Sequence, residues 1–297
     1  MTILKRKISV IGLGYVGLPV AIAFAEAGFN VVGFDTNTNR IKELTNAYDK
    51  TFEVENERLD NPNIAYTDNA DDIRRANFHI ITVPTPITNT NEPDISYLIT
   101  ASQTVGKRLK AGDLVVYEST VYPGCTEEFC VPIIEKYSNK TYKKDFNCAY
   151  SPERVNPGDN KHTISKIKKI LAISAPKNIK HKVKLVYKQI SKKLILTNSI
   201  ESAETAKVIE NIQRDLNIAF INDILIFSDK MNYNFDEIIR LASSKWNFLK
   251  FKPGLVGGHC LPVDPHYLNY VAKLNKIKLK TLLAGRDVNN SMQEFVL

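Results

Sequence analysis

No stretch of this 297-residue chain is apolar for long enough to cross a bilayer, which excludes a spanning helix. The basic start, Lys5-Arg6-Lys7 before apolar residues, imitates a secretory leader, but Gly12, Gly14 and Gly17 interrupt the apolar run. A cytoplasmic protein with no membrane partner is expected. Cysteine is scarce. Cys125, Cys130, Cys148 and Cys260 form no CxxC pair and no spacing typical of zinc, so free thiols and no metal site are expected. Acidic residues are missing from Asn160 to Ile200, a segment with eleven lysines. That segment also lacks the arginines and interleaved aromatics of a base-stacking surface, so it reads as a solvated lysine-rich face, with no nucleic-acid partner. No internal repeat and no low-complexity tail appears. Glycine and proline are absent from Ser199 to Met231.

What is present has the size and balance of a soluble globular chain of two domains: 43% hydrophobic, 24% charged, net charge +8. Lys7–Ile11 reads as a buried strand, Leu18–Ala27 as a helix ended by Gly28, and Asn30–Phe34 as a second strand closed by Asp35. Further apolar runs bounded by breakers cover Phe78–Val83, Asp113–Glu118, Asn147–Tyr150 and Ile170–Ile173. Strands alternating with helices predict an α/β fold: an N-terminal Rossmann-type parallel sheet over residues 1–198. The breaker-free segment from Ser199 has Ala206, Ile209, Leu216, Ala219 and Phe220 at three- and four-residue steps. It predicts a spine helix roughly 45 Å long, opening a small helical domain over residues 199–297. Asp236–Ser243, His266–Leu274 and Ala284–Val296 read as further helices, and Phe248–Pro265 as a Gly/Pro-rich loop.

Four constellations carry chemistry. Gly12-Leu13-Gly14-Tyr15-Val16-Gly17 follows a strand and opens a helix. Gly12 permits the turn, Gly14 lets backbone approach a pyrophosphate, and Gly17 permits close helix–strand packing. Asp35, 23 residues after Gly12, is placed to accept bonds from ribose hydroxyls, which favours NAD over NADP. Lys207 and Asn211 share one face of the spine helix, where an ammonium and an amide can hold a hydroxyl and an oxyanion. In Ser151-Pro152-Glu153-Arg154 the glutamate can serve as a base, or simply form a surface ion pair. Gly257-Gly258-His259-Cys260-Leu261-Pro262-Val263-Asp264-Pro265 holds a thiol in a tight turn, where a substrate can reach it. Val83-Pro84-Thr85-Pro86 and Glu118–Gly124 each follow a strand and so line the crevice beyond the sheet's C-terminal edge.

Taken in order, Gly12–Gly17, Val83–Pro86, Ser119–Gly124, Ser151–Arg154, Ala206–Asn211 and Gly257–Pro265 resemble the nucleotide-sugar 6-dehydrogenases, the UDP-glucose/GDP-mannose dehydrogenase family. Trp246-Asn247-Phe248, Pro253–Val256 and Arg214–Ala219 resemble its UDP-N-acetylhexosamine branch. The resemblance implies oxidation of a sugar C6 alcohol to a carboxylate with two NAD, serving surface polysaccharides. It implies NAD contacts at Gly12, Gly14, Tyr15, Val16, Gly17, Asp35, Arg40, Pro84, Thr85, Ser119 and Thr120. Cys260 is the implied nucleophile, passing through a thiohemiacetal and a thioester. Lys207 and Asn211 would stabilise oxyanions, Asp264 and Thr120 would position water, and Glu153 would assist hydrolysis. Glu153, Arg154, Lys207, Asn211 and Gly257 are the implied UDP-sugar contacts. A homodimer through the long central helix is expected.

The departures from the family are mild at Ile212-Gln213 and at Asn222-Asp223 and large in length. The family's C-terminal UDP-binding domain is expected to be absent, lowering turnover as well as affinity. Two other readings stay open: a dimerising NAD-binding module without turnover, and a two-electron β-hydroxyacid dehydrogenase.

Overall fold

The computed structural model describes residues 7–155, 164–258 and 261–297. The chain separates into two compact units, Met1–Thr85 with Asp94–Lys207, and Pro86–Pro93 with Val208–Leu297.

The first unit is built on one eight-stranded sheet: β1 (Lys7–Ile11), β2 (Asn30–Phe34), β3 (Ile64–Thr67), β4 (Phe78–Ile81), β5 (Leu114–Tyr117), β6 (Asn147–Tyr150), β7 (Lys168–Ile173) and β8 (Lys193–Thr197). The spatial order is β3-β2-β1-β4-β5-β6-β7-β8. The first six are mutually parallel; β7 runs antiparallel to β6 and parallel to β8. The helices are α1 (Gly17–Glu26), α2 (Thr38–Thr45), α3 (Asn56–Leu59), α4 (Ser96–Gly106), α5 (Val131–Ser138), α6 (Lys177–Tyr187), α7 (Ile200–Lys230), α8 (Phe235–Ala242), α9 (Asp264–Leu274) and α10 (Lys280–Val296).

Strand residues alternate between two cores because successive side chains point to opposite faces. Ile8, Val10, Phe78, Ile80, Leu114 and Val116 pack on one face with α1 and α6 residues Phe24, Val183 and Tyr187. Ile11, Ile81, Val115 and Tyr117 pack on the other with Leu98 and Val105 of α4 and Ile134 of α5. A parallel sheet covered on both faces needs such near-continuous apolar strands. Helix α1 is stopped by Gly28 at φ +85°, with the Phe29 amide donating to Phe24 O at 3.1 Å in a Schellman-type end. Helix α2 starts where Asn37 Oδ1 accepts the Asn39 and Arg40 amides.

In the second unit, α7 residues Asp215 and Asn222 join α10 residues Arg286 and Asn289 through buried hydrogen bonds. Ile87 and Pro93 form a short antiparallel bridge.

Several sequence expectations shift. Strands β4 and β5 end at Ile81 and Tyr117, before Val83 and Glu118. Helix α9 begins at Asp264, because Asp264-Pro265 suits a first turn, and α10 begins at Lys280 rather than Ala284. Ile209 and Phe220, taken as part of the apolar stripe of α7, are 49% and 58% exposed. The lysine-rich segment is not solvated throughout: Lys169 is fully buried, because two carboxylates surround it.

Candidate active site

The C-terminal ends of β1, β4, β5 and β6 lie along one edge of the sheet, where ligands of open parallel sheets bind. At the end of β1, Gly12 adopts φ +92°. A Cβ on Gly17 would lie 1.8 Å from Gly12 O and 2.4 Å from Thr82 Oγ1, so nothing larger than glycine fits. A Cβ on Gly14 would meet nothing within 4 Å, so that backbone is open to a ligand. No side chain caps α1 and no acid stands in its first turn. Its amides therefore suit a pyrophosphate, and NAD fits the residues present.

Asp35 Oδ2 accepts the Leu13 amide at 2.8 Å and Oδ1 accepts the Asn37 amide at 2.9 Å. Each carboxylate oxygen has a second lone pair, the capacity a ribose diol needs. Arg40 is buried: Nε donates to Leu13 O at 2.9 Å, and one terminal nitrogen donates to Asp49 Oδ1 at 2.7 Å. It braces the glycine loop from behind. Asp49 also accepts the Thr51, Glu53 and Val54 amides. Burial pushes its carboxyl up, but the Thr51 hydroxyl, Arg40 and the Thr51 and Val54 amides outweigh it and hold it below the usual range. Tyr15 is half exposed, Val16 partly buried and Pro84 exposed.

The loops after β4 and β5 are tied together. Thr85 Oγ1 donates to Thr120 O at 2.7 Å, and Ser119 Oγ donates to Val83 O at 2.6 Å. Beyond β6, Glu153 Oε1 accepts the Arg154 and Val155 amides, each at 2.7 Å. Its Oε2 accepts from Lys169 Nζ at 3.2 Å. Lys169 also donates to Glu118 Oε2 at 2.7 Å, and Tyr187 donates to Glu118 Oε1 at 2.5 Å. Arg154 reaches back to Lys168 O at 2.8 Å.

On α7, Glu204 is fully buried and accepts the Gly124 amide at 2.7 Å and the Thr126 amide at 2.9 Å. One turn on, Lys207 is 8% exposed, and among the described residues its ammonium makes no hydrogen bond or ion pair. In the second unit, Asn211 donates through Nδ2 to Asp264 Oδ2 and accepts from Arg214 at 2.8 Å. Both Asn211 and Asp264 are buried. Gly257 is exposed, and a Cβ there would meet nothing within 4 Å. Cys260 and His259 lie outside the described residues. Cys125, Cys130 and Cys148 are free, buried thiols; burial pushes Cys148 well up, which makes it inert.

Residues 6–191 match the NAD binding domain, and residues 201–291 the central domain, of the UDP-glucose/GDP-mannose dehydrogenase family. The chain belongs to that family. The glycine loop, Asp35 and the βα loops fall within its NAD binding domain, and Lys207, Asn211 and Asp264 within its central domain. A UDP-N-acetyl-D-glucosamine 6-dehydrogenase of Salmonella typhi is 50% identical across 98% of this chain and 68% of its own length. Protein CapL of Staphylococcus aureus is 48% identical across 99% of this chain and 69% of its own. The solved UDP-D-ManNAc dehydrogenase of Pyrococcus horikoshii superposes with a TM-score of 0.89 at 33% identity, over 97% of this chain and 69% of that one.

Lys169, Tyr187 and Glu204 escaped the sequence reading. A signal for Lys169 existed: it stands at the head of an apolar run, opposite two acids, Glu118 and Glu153, that each close or follow a strand.

Among the described residues no helix is long and apolar enough to cross a membrane.

Proposed function

We propose that this chain carries the NAD-binding and catalytic parts of a UDP-N-acetylhexosamine 6-dehydrogenase. Residues 1–198 bind the dinucleotide and residues 199–297 carry the cysteine loop. The sugar's primary alcohol, two NAD and one water become the uronate, two NADH and three protons. NAD supplies the hydride acceptor. Lys207, with Asn211 beside it, holds the C6 oxygen and stabilises the oxyanions that develop there. Cys260 retains the aldehyde as a thiohemiacetal and then as a thioester, dividing a four-electron oxidation into smaller steps. Asp264 and Thr120 orient the attacking water, and Glu153 accepts its proton.

The observation that carries this reading is Lys207, 8% exposed and with no hydrogen bond or ion pair from its ammonium among the described residues, on a helix anchored through Glu204 to the loop after β5. An ammonium that no protein anion engages is free to meet a ligand oxygen. Identity near one half to named UDP-N-acetylhexosamine enzymes supports the substrate class. The proposed assembly is a homodimer through α7, whose Phe220 and Phe227 are 58% and 51% exposed.

NADH formation with UDP-GlcNAc and UDP-GalNAc tests the reading. Two NADH per sugar, abolished by Cys260→Ala, is the expected result. One NADH per turnover, indifferent to Cys260→Ala, would replace it with a two-electron dehydrogenase. NAD binding without turnover, on the chain alone and with a C-terminal UDP-binding domain supplied, would reduce it to a binding module.

A further inference from the structure

Strand β7 is where the sheet reverses. Ala149 pairs with Ile173 and Tyr150 with Ala172, antiparallel. Continuing that register, the N-terminal end of β7 comes up beside the segment that leaves β6, at the edge where the βα loops lie. A parallel strand would have delivered its other end there. The reversal is what brings Lys169 to Glu153 and Glu118.

Lys169, Glu118 and Tyr187 are fully buried, and the Glu153 side chain is 11% exposed. Lys169 Nζ also lies 6.0 Å from the Tyr187 ring centroid. Four titratable groups therefore face one another from four segments: Glu118 after β5, Glu153 after β6, Lys169 on β7 and Tyr187 on α6. Burial works against charge on Lys169, but Glu118 and then Glu153 outweigh it and raise its pKa. Burial pushes the Glu118 carboxyl up, Lys169 pulls it back, and Glu153 pushes it up again.

The acceptor inventory of Glu153 sharpens this. Both lone pairs of Oε1 are taken by the Arg154 and Val155 amides, and one lone pair of Oε2 by Lys169. Among the described residues, a single lone pair on Oε2 stays open. We propose that Lys169 is a positioning residue for the hydrolytic half of the reaction, fixing Glu153 Oε2 so that its one open lone pair takes the proton of the attacking water.

This rests on the dehydrogenase reading above. In the step it serves, water oxygen bonds to the thioester carbonyl carbon, the carbon–sulfur bond breaks, and the pair leaves with the cysteine sulfur. One water proton passes to Glu153 Oε2. The proton of the nascent carboxylic acid returns to the thiolate. Glu118, buried and bound to Lys169 and Tyr187, keeps the ammonium charged and in place.

The experiment compares Lys169→Met, Lys169→Arg, Glu153→Gln and the double variant Lys169→Met/Glu118→Gln in single-turnover assays with UDP-GlcNAc. Intact-mass analysis reads covalently held sugar, and difference infrared spectroscopy reads protonated carboxyl groups. Expected results are a first NADH phase within about threefold of wild type, product release slowed about 10- to 100-fold, and acyl-enzyme accumulating in Lys169→Met and Glu153→Gln. Lys169→Arg restores most of the release rate. The double variant removes one cation and one buried anion together, so it keeps wild-type stability yet still accumulates acyl-enzyme. Equal slowing of both NADH phases, or wild-type release in the double variant, would overturn the role of Lys169. Should wild type give no NADH with any UDP-sugar, the dehydrogenase reading falls by itself. The infrared arm then still judges the cluster: Lys169→Met must show a protonated-carboxyl band at neutral pH that wild type lacks and Glu118→Gln removes, and its absence refutes the positioning.

Discussion

The side-chain amide of Asn222 pairs with both peptide groups of Gly254: Nδ2 donates to Gly254 O at 3.1 Å, and Oδ1 accepts the Gly254 amide at 2.8 Å. Nδ2 also donates to Asn289 Oδ1 at 2.9 Å, and Asn289 in turn donates to Asp215, which Arg286 clamps at 2.6 Å. One fully buried amide thus docks the segment leading to the cysteine loop onto α7 and α10. Asn222→Asp keeps an acceptor for the Gly254 amide but loses both donors and sets a carboxylate against two carbonyl oxygens. It should cost about 3 kcal/mol, and Asn222→Ala about 2 kcal/mol, on the scale of buried groups left unpaired. Urea denaturation gives the totals. Hydrogen exchange should show the amides around Gly254 losing protection first.

Gly14 and Gly17 separate binding from folding. A Cβ on Gly17 collides with Gly12 O, which is backbone and cannot move aside cheaply. Gly17→Ala should therefore lower the melting temperature and abolish NAD binding together. A Cβ on Gly14 touches no protein atom. Gly14→Ala should melt like wild type while losing at least about tenfold in NAD affinity, because the methyl occupies space the pyrophosphate needs. Calorimetry beside thermal denaturation distinguishes the two. Equal NAD affinity in Gly14→Ala would remove the glycine loop from the cofactor site.

Burial pushes the Glu204 carboxyl up to about 7, against the Thr126 and Gly124 groups that pull it down. A folded-state pKa above the unfolded one means that the folded protein holds this proton more tightly. The contribution is complete below the ordinary glutamate value and is lost as pH rises through about 7. Stability should fall by about 3 kcal/mol at most across that window. Glu204→Gln carries no proton to lose, so its urea midpoint should be lower at acidic pH yet flat where wild type declines. A parallel decline in both proteins would assign the pH dependence elsewhere.

The glycine loop, β1, β2, β6 and the extent of α7 were legible because each is a strong local pattern: apolar runs cut by glycine, or more than thirty residues free of breakers. Strand β3 was not. It has four residues, none fully buried, and the alternation of an edge strand is faint over that length. Strand β8 was hidden in the same way by the lysines that solubilise an exposed edge. Helix α10 begins four residues before the expected Ala284, at Lys280, and Gly285 lies inside it. A Cβ there would lie 2.4 Å from Leu216 Cδ2, so that glycine exists for close packing of α10 on α7. Lys169 was read with its neighbours as solvated, since its partners come from strands distant in sequence and no local pattern names them. The placement of Lys207 and Asn211 one turn apart on a helix was legible from their spacing. That Asn211 spends its amide on Asp264 and Arg214 was not.

Lys207 offers a prediction in which turnover and stability separate. Its side chain is buried, yet among the described residues nothing accepts from its ammonium. Removing that charge therefore forfeits no protein contact, so Lys207→Met should leave the stability within about 1 kcal/mol of wild type. A group with only a structural role would lower stability and spare turnover. In catalysis the same substitution removes the cation proposed to face the C6 oxygen, and an oxyanion donor is worth about 100- to 1,000-fold in kcat. Lys207→Arg keeps the charge but spreads it over a planar fork, and should recover little of the rate. Thermal denaturation and steady-state NADH formation on the same preparations decide the matter. A Lys207→Met protein that melts lower than wild type and retains its kcat would mean that the ammonium has a partner within the protein and no part in the chemistry.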